Sequence, residues 1–105
     1  MANLFPRTTG LPMTVWVSPR GPARHDARIK VCLTPGPRMD ATDTAVVGIR
    51  PRPGLIKDRP RGPDFDLVVQ WIMLNEAVLL DFWNGAIDTI ELAGRLRKVG
   101  AEAAP

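Results

Sequence analysis

Apolar residues crowd into one unbroken segment, Asp64 to Gly85 (DFDLVVQWIMLNEAVLLDFWNG), and alternate with polar ones in the shorter segments before it. At about 100° per residue, Leu67, Val68, Trp71, Ile72, Val78, Leu79, Phe82 and Trp83 fall on one wide face. Asp66, Gln70 and Asp81 form a narrow polar stripe with Ala77 in its middle, and Val69, Met73 and Leu80 form a second apolar strip beside Glu76. A helix apolar on nearly all sides is buried on more than one of them. Pro63, Asp64 and Asp66 mark its start, and Asn84-Gly85 its end. Asn75 lies in the centre of the main face. An unpartnered buried amide costs about 1–3 kcal/mol, so Asn75 is expected to bond loop backbone.

Upstream the period changes to two. Met13–Val17, Ala27–Leu33 and Thr44–Arg50 read as strands. Val15, Val17, Ile29, Val31, Val47 and Ile49 fall on one face of the resulting sheet. Trp16, Arg28, Lys30, Cys32, Val46 and Arg50 fall on the other. Residues 1–12 read as a loose lead-in. Residues 51–63, rich in proline and arginine, read as an extended crossover with Leu55-Ile56 docked on the core. After Gly85, Asp88-Thr89-Ile90-Glu91 has the spacing of a capping box. It opens a second helix with Leu92, Leu96 and Val99 on one face and Arg95, Arg97 and Lys98 in its last turns. Gly100 stops it, and residues 100–105 form a tail.

The expected fold is α+β in the order β-β-β-α-α. Three strands with short connections pair most simply as an antiparallel meander. The meander (13–50) packs on the long helix and the short C-terminal helix (64–99). A length of 105 residues fits one domain.

Charge changes the picture. The net charge is +3, but residues 1–63 carry 11 Lys/Arg against 4 Asp, giving +7, and residues 64–105 carry 3 against 7 acids, giving −4. The N-terminal half is therefore where an acidic partner is expected. A single cysteine, Cys32, rules out an internal disulfide and fits a reducing cytoplasm. The first ten residues lack the apolar core of a signal peptide. The long apolar segment carries four acids at its start or inside it, against a membrane span.

Three groups of residues are candidates for chemistry or binding. Arg24-His25-Asp26 holds the only histidine, and a His/Asp/Arg set can perform general acid–base work on a phosphodiester. Against it, neighbouring strand-like residues point to opposite sides, and a histidine in a loop is the simpler reading. The outer sheet face puts Trp16 among Arg28, Lys30 and Arg50, flanked by Arg20, Arg24, His25 and Arg52. An aromatic ring among cations suits single-stranded nucleic acid, the ring stacking on a base and the cations tracking phosphate. The other reading is a solvated face, with Trp16 covered by residues 1–12. Third, Val69, Met73 and Leu80 form a self-association surface for a homodimer unless the crossover or second helix covers them. Asp40 and Asp43 are too few for calcium, and His25 with Cys32 too few for zinc, so no metal or cofactor is expected.

Two segments, VWVSPRGPARHDARIKV (15–31) and DLVVQWIMLNEAVLLDFWNGAIDTIELAGRL (66–96), resemble the opening and ending of an uncharacterised family of small bacterial and phage proteins. The match is distantly similar to small domains found in gene pairs that look like toxin–antitoxin modules. The resemblance implies a fold and no catalytic residue. The sequence thus points to a small cytoplasmic, non-enzymatic accessory protein whose basic sheet face contacts nucleic acid or an acidic protein. The alternative is a phosphodiesterase or ribonuclease-like toxin using His25 and the nearby arginines.

Overall fold

The structure is a computed structural model describing residues 2–21, 26–37, 42–50, 53–57 and 62–99. It is α+β, with one antiparallel sheet and two main helices. The sheet has five strands in chain order: β1 (Ala2–Leu4), β2 (Val15–Val17), β3 (Arg28–Cys32), β4 (Thr44–Gly48) and β5 (Gly54–Lys57). The three expected strands form its centre. Each edge of that meander is taken by a strand from a segment whose sequence reads as connection. Residues 2–4 pair with β2 (Ala2↔Val17, Leu4↔Val15), and residues 54–57 pair with β4 (Gly48↔Gly54).

The expectation of a loose lead-in is therefore corrected. Ala2, Leu4, Thr9 and Leu11 are buried. A one-turn helix, α1 (Pro6–Thr9), follows β1, with proline at its start and Gly10 closing it at φ 80°. Proline preset for the first turn and glycine free to adopt the left-handed cap explain this turn locally. The strand itself has no β-branched residue. It forms because the unpaired edge of β2 offers ladder partners to its backbone.

The long helix α2 spans Gly62–Trp83. Its buried residues Val68, Trp71, Ile72, Val78, Leu79, Phe82 and Trp83 join Val15, Val17, Ile29, Val31, Val47 and Ile49 of the sheet in one hydrophobic cluster. Leu67 is partly buried against it. The helix ends in a Schellman arrangement. Ala86 N–H donates to the Asp81 carbonyl (2.9 Å), Gly85 N–H to the Phe82 carbonyl (3.1 Å), and Gly85 takes φ 76°. Arg20 N–H, from the loop after β2, donates to the Trp83 carbonyl at 2.7 Å and satisfies another terminal acceptor.

The second helix α3 (Thr89–Arg95) opens on the expected capping box. Asp88 accepts from Glu91 N–H at 2.8 Å, and Glu91 accepts from Asp88 N–H at 3.1 Å. It is shorter than its apolar spacing suggests, because the chain leaves the helix at Leu96, which is extended (φ −67°, ψ 141°), and residues 96–99 form a strap. Asn75 holds this strap. Its amide nitrogen donates to the Arg97 carbonyl (3.0 Å), and its amide oxygen accepts from Arg97 N–H (2.8 Å). Val99 N–H then donates to the Thr9 carbonyl at 2.9 Å. The core asparagine bonded to loop backbone is thus present, and its partner is the strap.

Candidate functional site

Strand alternation sends one set of side chains to the helices and the other to the outer face, and the outer face has two dissimilar halves. In one half Thr14 and Cys32 are buried. There the Thr14 hydroxyl donates to the Gly36 carbonyl (2.8 Å), Gly36 N–H to the Pro12 carbonyl (2.8 Å), and Cys32 N–H to the Thr14 carbonyl (3.0 Å). Cys32, expected among the presented residues, is enclosed instead.

The other half is open. Asn3, Trp16, Lys30 and Val46 stand opposite one another in a row across β1 to β4. Asn3 and Lys30 are exposed, Trp16 is half-buried and Val46 is buried. The Lys30 ammonium lies 5.2 Å from the centroid of the Trp16 ring, a cation–π geometry. Residues 2–4 do not cover Trp16. They extend the sheet beside it, and Trp16 is half-buried. Arg28, two residues along β3 on the same face, is half-buried opposite Gly48, which has no side chain to crowd it.

Arg50 belongs to this face by alternation but is paired. Its Nε donates to both carboxylate oxygens of Asp26, at 2.8 and 3.0 Å. Asp26 also accepts from Ala27 N–H at 2.7 Å. The pair stands two residues beyond the last paired residues of β3 and β4, Arg28 and Gly48, just past the bond from Ile49 N–H to the Ala27 carbonyl (3.1 Å). Arg20 is exposed, and its backbone N–H bonds the C-terminal end of α2 at Trp83. Arg24, His25 and Arg52 lie outside the described residues.

On α2, Val69 and Leu80 are half-buried and Leu80 packs on the core, whereas Met73 is 66% exposed. The expected apolar strip therefore presents mainly Met73. On α3, Ile90 is 82% exposed. Among the described residues no three His, Cys, Asp or Glu side chains converge as a metal site, and no helix is long and apolar enough to cross a membrane.

The residue missed by sequence reasoning is Asn3. Its only signal is the triplet Ala2-Asn3-Leu4, apolar–polar–apolar, too short to announce a strand. Comparison with protein-family models, curated proteins and solved structures finds no match. The functional reading therefore rests on the residues themselves.

Proposed function

We propose that the open half of the outer face binds an acidic partner, single-stranded nucleic acid, with Trp16 as the stacking ring and Arg28 and Lys30 as the phosphate-tracking cations. The observation that carries this reading is the Lys30 ammonium 5.2 Å from the centroid of the half-buried Trp16 ring. One ring face is already turned toward a cation and held by a flexible, exposed side chain. An exposed cation–π contact stabilises by about 0.5–1 kcal/mol. A stacked base contributes about 1–3 kcal/mol. A base can therefore displace Lys30, whose ammonium is then free for the adjoining phosphate.

A protein partner fits this row less well. Protein interfaces depend on clustered anchors in desolvated pockets. Here one aromatic ring stands among Asn3, Lys30 and Arg28, and the neighbouring Val46 is buried. A base needs only one ring.

The test is retention of a labelled single-stranded oligonucleotide across a salt series. Each neutralised phosphate releases condensed counterion, so affinity is expected to fall steeply with salt. Arg28→Ala and Lys30→Ala are each expected to weaken binding and reduce the salt slope by about one. Trp16→Ala is expected to weaken binding by about 1–3 kcal/mol with the slope nearly unchanged, because stacking is not electrostatic. No retention at low salt, or equal retention of a polyglutamate chain, overturns the reading.

A further inference from the structure

We propose that Asn3 reads the edge of the base stacked on Trp16 and makes adenine the preferred base. This deepens the preceding reading and rests on Trp16 being a stacking ring. Asn3 and Trp16 are direct partners in the antiparallel ladder between β1 and β2. Side chains so paired stand on the same face with their Cβ atoms about 4.5–5.5 Å apart. Ala2 and Leu4 on either side of Asn3 are buried in the core, which fixes the register and sends Asn3 outward. Asn3 is exposed, and its amide makes no hydrogen bond to a described residue.

The ring thus has an uncommitted amide on one side and a cation, Lys30, on the other. That asymmetry orients a stacked nucleotide. Its phosphate turns toward Lys30 and Arg28, and the far edge of its base turns toward Asn3. An asparagine amide offers a donor and an acceptor side by side. The N6/N7 edge of adenine presents the complementary acceptor and donor, whereas the N7/O6 edge of guanine presents two acceptors. Against guanine the amide oxygen faces an oxygen. A pyrimidine has one ring, so its edge ends farther from Asn3 when it is centred over the indole.

The test uses the full chain and fluorescein-labelled oligodeoxyadenylate, oligodeoxycytidylate and oligodeoxythymidylate of about eight nucleotides, within the span one small binding surface covers. Fluorescence anisotropy at low salt reads the affinities. The native protein is expected to bind the adenylate about fivefold or more tightly than the other two, the lower range for one bidentate amide–base pair. Asn3→Ala is expected to bring the three within about twofold, and Asn3→Gln, which keeps the amide, to preserve their order. Thermal unfolding by circular dichroism checks that Asn3→Ala is folded. If it is not, Asn3→Ser carries the same comparison. Equal affinities in the native protein, or an adenine preference that survives loss of the amide, overturn the role of Asn3 and leave the stacking platform standing. Absence of binding to all three overturns both.

Discussion

The two faces of the sheet share one backbone and differ in what their side chains do. The inner face of the central strands presents Val15, Val17, Ile29, Val31, Val47 and Ile49, all buried in the cluster with α2. The outer face, one residue out of phase, presents Trp16, Arg28 and Lys30 at its open end. Inner positions are interchangeable in chemistry and constrained in shape, so they fix stability. Outer positions are free in shape and particular in chemistry, and the proposed binding uses them. Lys30 shows the difference well. Its neighbours Ile29 and Val31 are fully enclosed, while its own ammonium rests on an aromatic ring at the surface.

The strongest way to break this comparison is to truncate one tryptophan on each side. Trp71 is fully enclosed, and its indole N–H is buried with no hydrogen-bond partner. Its contribution is therefore packing alone. Trp71→Ala is expected to cost about 3–5 kcal/mol, as for other large aromatics removed from a core. Trp16→Ala, on the outer face, is expected to cost about 1 kcal/mol or less, close to ordinary surface changes. Urea melts of the two variants measure the contrast. Similar losses in both would mean that Trp16 is a core residue.

On the inner side even polar groups serve packing. Asn75 bonds the strap through Arg97, and its amide nitrogen also donates to the Trp71 carbonyl at 2.9 Å. Asn75→Ala removes all three bonds and is expected to cost about 1–3 kcal/mol, since water reaches the exposed part of the strap. Gly10 holds the strap from the other end. A Cβ there would run into the Val99 carbonyl oxygen, and its φ of 80° disfavours any side chain. Gly10→Ala is expected to cost at least the about 1–3 kcal/mol of a strained left-handed residue. In both variants the Val99 amide hydrogen is expected to exchange faster with solvent, because its bond to the Thr9 carbonyl loosens. Native exchange at Val99 in either variant would mean that the strap is held elsewhere.

Most of the inner face was legible because burial leaves a periodic trace. The main face of α2, the alternation in the central strands, the Asp88 capping box and the Asn84-Gly85 stop each follow from residues close in sequence. The edges of the sheet were not. Ala2-Asn3-Leu4 becomes a strand through the backbone of β2, and a segment that begins Pro51-Arg52-Pro53 contains β5 through the backbone of β4. Hydrogen bonds between distant backbone groups leave no side-chain pattern. The outer face was legible only as a list of residues. Alternation named Trp16, Arg28 and Lys30, but the pairing of Arg50 with Asp26, the enclosure of Cys32 and the placing of Asn3 beside Trp16 depend on register. The early end of α3 is a tertiary effect of the same kind, with Asn75 offering Arg97 the two bonds that a further helical turn would have provided.

The smallest expected change in stability belongs to the outer face, and it sharpens the functional half of the comparison. Asp26 holds Arg50 through Nε, with the two side chains 53% and 41% exposed. Ion pairs this open contribute about 0–1 kcal/mol. Asp26→Asn keeps an oxygen to accept from Ala27 N–H and removes the charge that neutralises Arg50. The melt is expected to move by no more than about 1 kcal/mol. Binding is expected to move in the opposite sense. The face loses one negative charge and gains the use of one cation on the side that carries Arg28. Affinity for a single-stranded oligonucleotide is therefore expected to rise at low salt, and the salt slope to steepen by up to about one. Arg50→Ala removes the cation and leaves the Asp26 carboxylate in place, so affinity is expected to fall at low salt with the slope nearly unchanged, since the paired arginine releases no counterion of its own. A steeper slope in Asp26→Asn with an unchanged one in Arg50→Ala assigns the open face as the phosphate track. An unchanged slope in Asp26→Asn would place the bound strand away from this end of the sheet, on the Asn3 side of Trp16.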